Sequence, residues 1–179
     1  MQTRPKQDHG GNMIKRMMGA AKLDTAVYEE VEADSSATRQ AMAVVVLVSL
    51  ATGIGMFRTG GLVGLVVGIP VSIGLWALWA WITYLIGTTI LKTAETEANW
   101  GQLARTLGFA QSPGVLKVFG FIPGIGPLFF AIASIWQLVA MVIAIRQALE
   151  FTSTWRAAGV AIVGFIPYAL ITSLIYTFI

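Results

Sequence analysis

Four stretches of this chain carry no charged residue: Ala41 to Phe57, Thr59 to Leu91, Val118 to Ile145 and Ala157 to Ile179. A helix crossing a bilayer core needs roughly 20 consecutive apolar residues, and the second run is far longer than that. Only 12% of the residues are Asp, Glu, Lys or Arg, against 56% hydrophobic. A soluble domain carries roughly a quarter of its residues charged, so the charge here cannot coat a globule in water. A freely soluble protein, a disordered chain, a coiled coil and the long basic arm of a nucleic-acid binder are all excluded. The chain reads as an integral membrane protein of the all-α class, a polytopic helix bundle.

The runs divide into spans once glycine and proline are placed. Met1 to Gln40 is polar and holds more than half of the charges. The first span is read at about 38–57. In the second run TGGLVGLVVGIP, ending at Pro70, is read as hairpin and lead-in, with the span at about 69–90. FIPGIGP at Phe121–Pro127 holds two prolines bracketing Gly124 and Gly126, which predicts a turn between spans at about 102–122 and 128–146. The last span is read at about 157–178. Residues 1–36 then form a tail, and 37–179 a five-span transmembrane domain.

The positive-inside rule weighs five spans against four. With five spans and the N-terminus inside, Arg4, Lys6, Lys15, Arg16, Lys22, Arg39, Lys92, Arg105, Arg146 and Arg156 lie inside, and Arg58 and Lys117 outside. With four, Arg146 and Arg156 move out and Lys117 moves in. The split falls from ten against two to nine against three of the 12 basic residues. Five spans with the N-terminus cytoplasmic and the C-terminus outside is the expectation. The first apolar run begins behind a mixed-charge tail, so it reads as an uncleaved anchor and not a signal peptide.

Ile14, Met17, Met18 and Ala21 fall at helical spacing with Lys15, Arg16 and Lys22 beside them, which predicts an amphipathic helix lying in the headgroup layer, methionines inward. Asp24 is placed to cap a second short helix bearing Tyr28, Glu29, Glu30, Glu32 and Asp34, and Ser35 or Ser36 to cap the first span. Met17, Met18, Tyr28, Glu29 and Glu30 are the candidate docking surface. The plainer reading is an interfacial anchor with a solvated acidic face.

Chemistry is scarce. There is no cysteine, which removes disulfides, thiolate metal sites and thiol catalysis. The one histidine, His9, sits in the polar tail with no second ligand nearby. The acidic groups Glu29–Asp34 and Glu95/Glu97 lack calcium-loop spacing and have basic neighbours. No catalytic residue, cofactor or metal site is expected, and no base is available at membrane depth to activate a serine. Coupled carriers place an ionisable group inside the bilayer. Here the acids lie outside the spans, and Arg105 and Lys117 stand near span ends, from which they are expected to snorkel. The interior polar groups are neutral, chiefly Gln111 beside Pro113, and Gln137. They either line a solute path or, more simply, bond neighbouring helices.

Gly64-x-x-x-Gly68 and Gly120-x-x-x-Gly124 allow close helix approach, and Trp76 and Trp79 share a face from which Trp81 turns away. Gly64, Gly68, Trp76 and Trp79 complete the candidate interface. Trp100 and Trp155 sit where indoles favour the interface. GFIP occurs twice, at Gly120–Pro123 and Gly164–Pro167.

MIKRMMGAAKLDTAVYEEVEADSSATRQA, NWGQLARTLGFAQSPGVL and IWQLVAMVIAIRQAL together resemble the prokaryotic branch of the Yip1-domain membrane protein family, most closely from Trp100 to Ala148. The resemblance implies a five-helix membrane bundle with a cytoplasmic N-terminal region, seated in a prokaryotic inner (plasma) membrane. Eukaryotic members of that family act in vesicle traffic and bind Rab GTPases, and their Asp-Leu-Tyr-Gly-Pro motif has no match here. AVYEEVEAD stands in the comparable place here, so Rab binding is not inferred. The expected role is a non-enzymatic scaffold, recruiter or accessory subunit whose partners are membrane lipids and other membrane proteins or a second copy, with no nucleic acid. The alternatives are a passive transporter or lipid-handling protein around Gln111, Pro113 and Gln137, and a membrane-shaping protein.

Overall fold

The computed structural model describes residues 12–178 apart from 95 and 97. His9, the tail cations Arg4 and Lys6, and the Glu95/Glu97 pair lie outside the described residues. Every described element is helical.

Two short helices precede the long ones. In α1 (Met13–Ala21) the Asn12 side chain accepts from the Ile14 amide at 3.0 Å, and in α2 (Thr25–Ala33) Asp24 accepts from the Ala26 amide at 3.1 Å, the cap expected of it. Leu23, at φ 63°, turns the chain between them. Ser36 stands at the start of α3 (Ala37–Gly55) but makes no side-chain cap. Its hydroxyl and amide donate instead to the Asp34 carboxylate, at 2.6 and 2.9 Å.

The second span begins earlier than its glycines suggested. After Met56, α4 runs Phe57–Leu85 with one break at Gly61 (φ 57°, ψ −159°), and continues as a π-turn over Ile86–Ile90. The stretch read as hairpin and lead-in is therefore helix from just past Gly61, and Pro70 lies inside it. Glycine lowers helix propensity in water, but backbone groups in hydrocarbon have no partner outside their own helix, and that constraint wins.

The expected span at 102–122 is divided in two. α5 (Trp100–Ala110) opens on a reciprocal cap, the Asn99 side chain taking the Gln102 amide and the Gln102 side chain the Asn99 amide. At Gln111 it gives way to a 3₁₀ segment, Ser112–Phe121, with Pro113 at its first turn. Proline supplies no amide to continue the α ladder, so the tighter winding begins there. Residues 122–125 form the turn expected of FIPGIGP, with Gly124 at φ 84°, which α6 (Gly126–Ala148) follows. The second GFIP copy is helical throughout, within α7 (Thr154–Phe178).

α5 sits at the centre, all eight residues from Leu103 to Ala110 buried, against α3, α4 and α6, while α7 closes on α4 and α6. The central segment runs parallel to α3. A Cβ added at Gly108 would meet Ala41, one at Gly114 would meet Val48, and one at Gly120 would meet the Gly55 carbonyl. From Ala41 to Gly55, α3 climbs roughly 21 Å; the central segment makes the same climb from Gly108 to Gly120 at about 1.75 Å per residue, between the α and 3₁₀ rises. Among the described residues, four helices are long and apolar enough to cross a membrane: Ala37–Gly55, Phe57–Ile90, Gly126–Ala148 and Thr154–Leu174.

Candidate functional site

Two features stand out, a clamped hairpin at one end of the bundle and a cavity in its middle.

The hairpin is α1 with α2, and its orientation differs from the expected one. Arg16, read as flanking an anchored face, points inward and is only 4% exposed. Its guanidinium donates to Glu30 (2.8 and 3.0 Å), Asp34 (2.7 Å) and Gln40 (3.0 Å). Burial lowers its pKa, but the hydrogen bonds and charges of Asp34 and Glu30 outweigh that and leave it raised. Hydrogen bonds from Ser36 and then Arg16 hold the Asp34 carboxyl below the ordinary range. Ile14 and Met18 are exposed on the far side of α1, with Met17 half-buried between.

Tyr28 is not available for docking. It is fully buried, its hydroxyl donating to the Ala20 carbonyl at 3.0 Å. A phenol taken out of water needs such a partner, and burial pushes its pKa up. Glu29 accepts from Gln147 (2.9 Å) and Glu30 from Arg16, so the exposed faces of both acids are tied into the fold. Arg105 does not snorkel. It is buried and donates to the carbonyls of Val31 (2.9 Å) and Glu32 at the C-terminal end of α2, where a cation also complements the helix dipole. Gln102 donates to the Glu32 carboxylate at 3.1 Å, and the Trp136 indole to the Ala21 carbonyl at 2.8 Å. Burial, with the charge of Glu150 and then of Glu29, pushes Glu32 up to about 7 against the opposing charge of Arg105.

The cavity, about 750 Å³, lies between α3, α4, the 3₁₀ segment, α6 and α7. Trp76 and Trp79, the candidate interface indoles, are buried and form its α4 wall with Ser72 and Leu75. Trp79 meets Tyr168 of α7 edge-on at 5.1 Å. Among the described residues, the buried indole N–H groups of both tryptophans and the nearby Thr83 hydroxyl have no hydrogen-bond partner. Gln111 and Gln137 meet in the wall, the Gln137 amide donating to the Gln111 side chain at 2.6 Å and to its carbonyl at 3.3 Å. Pro113 is buried beside them. The Ser49 and Thr52 hydroxyls bond back to their own helix, at 2.8 Å each.

Lys117 lines the cavity too, half-buried, its Nζ 5.7 Å from the centre of the Phe130 ring. It was expected to snorkel outward, and sequence reasoning did not associate it with Trp76. The signal existed in the spacing: Lys117 lies six residues beyond Gln111, a distance along the segment that only the 3₁₀ winding turns toward the same space. Gly64 and Gly68 belong to neither feature, and among the described residues nothing lies within 4 Å of where their side chains would start.

A family model for the Yip1 domain matches residues 25–174. No curated protein and no solved structure matches the chain.

Proposed function

We propose, from the premise that this chain belongs to the Yip1 domain family, that it is a five-pass membrane protein working by contact and not by chemistry, as a scaffold, recruiter or accessory subunit. The fifth crossing in this reading is the central segment, α5 with its 3₁₀ extension. Its support is the shared climb with α3, because 3₁₀ winding lets a short segment cover a longer depth. In this reading the membrane is a prokaryotic inner membrane, as the resemblance implies, and the distribution of Lys and Arg favours a cytoplasmic N-terminus and an outside C-terminus.

The observation that carries the contact reading is the hairpin. Five hydrogen-bonding side chains outside it, Gln40, Gln102, Arg105, Trp136 and Gln147, fasten it to the bundle while Ile14 and Met18, on a helix flanked by Lys15 and Lys22, stay uncovered. A segment held so firmly with Ile14 and Met18 outward presents a fixed face to a partner or to the headgroup layer. A photocrosslinking residue at Met18 is expected to capture a protein in intact membranes, with none captured from position 28. Lipid adducts alone at Met18 would reduce the hairpin to an anchor. For topology, alkaline phosphatase fused after Ile179 is expected to be active and a fluorescent protein there dark; the opposite pair would mean an even number of crossings.

The cavity favours a second reading, lipid handling. It is mostly apolar and bounded on one side by Leu138, Ile162 and Phe165, which are exposed on the bundle's outer surface. A solute path through Gln111 and Gln137 is less well supported, since the two amides are bonded to each other.

A further inference from the structure

Among the described residues the cavity's lining includes one charged side chain and no counter-charge. Lys117 is part of its lining, and none of the surrounding elements, α3, α4, the 3₁₀ segment, α6 or α7, contains an aspartate or glutamate anywhere along its length. A lysine ammonium at this depth is costly unless an anion or a polar cluster meets it. The Phe130 ring offers only a distant cation–π contact at 5.7 Å. Lys117 lies level with Gly55, at the end of the cavity farthest from the hairpin.

From that charged end the cavity runs as an apolar slot. Along α7 its lining extends from Tyr168 to Ala158, roughly 15 Å at 1.5 Å per residue. Its volume of about 750 Å³ falls in the range of small-molecule sites. Leu138 and Ile162, both in the lining and both exposed, mark where it meets the surrounding bilayer, between α6 and α7. A cation at one end, a narrow apolar slot behind it and a lateral opening are the complement of one molecule type.

We propose that this cavity is a binding site for an anionic lipid of the leaflet on the Lys117 side, its acidic headgroup against the Lys117 ammonium and one acyl chain inserted along Trp76 and Trp79. The inference deepens the lipid-handling reading by naming the ligand, and needs binding alone, not movement of lipid between leaflets.

Tryptophan fluorescence reads occupancy, since chain-brominated lipids quench an indole they touch. The intact protein is reconstituted in phosphatidylcholine vesicles containing a minor fraction of brominated phosphatidylglycerol, or of brominated phosphatidylcholine. The contribution of Trp76 and Trp79 is the difference from the Trp76→Phe/Trp79→Phe protein. The anionic lipid is expected to quench that component with roughly fivefold preference, the scale of one basic group's attraction for an anionic headgroup. Lys117→Gln is expected to abolish the preference and Lys117→Arg to retain it, with unchanged helical circular dichroism. Excess inorganic phosphate is expected not to relieve the quenching. Equal quenching by the two lipids in the unmutated protein would overturn the proposal while leaving lipid handling intact. Absence of quenching by either would remove both. Relief by inorganic phosphate would reassign the site to a soluble anion.

Discussion

α5 and the first half of α4 are both helical, both contain glycine, and sit at opposite extremes of burial. α5, with Gln102, Arg105 and Thr106, is the most polar helix in the bundle and is packed on every side. The α4 window, free of charge and rich in Val, Leu and Gly, has only 6% of its residues buried, against 33% for α3. In water the order would be reversed. A helix facing lipid must be apolar because hydrocarbon satisfies nothing, whereas one facing other helices can carry polar groups that find partners. Of these two helices the wholly apolar one lies outside and the moderately polar one at the centre.

Glycine substitution tests that contrast most severely. At Gly108 a Cβ meets Ala41 at 2.7 Å, side chain against helix. Gly108→Leu is expected to cost about 3 kcal/mol, the upper end for overpacking, read as loss of folded protein in detergent unfolding. Gly64→Leu on α4 is expected to stay within about 0.5 kcal/mol, as an exposed change away from special features does. If Gly64→Leu proves as costly in native membranes as Gly108→Leu, something covers the first half of α4, and the comparison breaks in favour of a partner helix.

The hairpin sharpens the contrast from the polar side. Removing Arg16 leaves Glu30 and Asp34 without their cation, and Arg16→Ala is expected to loosen α1 from α2 by about 2 kcal/mol, below the range for a fully buried pair because both acids are partly solvated. Limited proteolysis near Leu23 reads that loosening. In the middle of the bundle, Gln137→Leu takes away the donor to Gln111 and is expected to cost about 1 kcal/mol in thermal unfolding, typical of an interhelical hydrogen bond in a membrane. A larger loss would mean that the cavity wall depends on that pair.

These contrasts also separate what was readable in the residues from what was not. Charge-free runs located the four apolar helices, and two prolines around Gly124 located the turn before α6, because both signals act locally. The cap at Asp24 was equally local. The division of the central segment at Gln111 was harder, since Pro113 is compatible with either a kinked α-helix or 3₁₀ winding. Arg16, Arg105 and Lys117 were all assigned to solvent or headgroups on the rule that long cations reach for water. Each instead turns toward the protein, two of them to oxygens more than twenty residues distant or on another helix, which periodicity does not register. The cavity depends on five elements meeting, so its residues were visible one by one and its existence was not.

Glu32 supplies the smallest effect and the one that ties the hairpin to pH. Its carboxyl is held at about 7 in the folded protein against 4.5 for the free side chain, burial being the main cause and Glu150 adding to it. An acid whose pKa is raised by folding stabilises the fold while protonated, fully below the unfolded value, and that contribution disappears as pH rises through the folded one. Docking of α2 is therefore expected to weaken between about pH 5 and about pH 8. The group is partly solvated, so screening leaves less than about 1 kcal/mol of the effect. Hydrogen exchange at the Tyr28 and Val31 amides, corrected for its intrinsic pH dependence, is expected to show protection falling over that window. In Glu32→Gln, which keeps an acceptor for Gln102 and cannot ionise, protection is expected to stay level. An unchanged slope in that variant would move the titration to another group and leave the hairpin's pH dependence in place without Glu32.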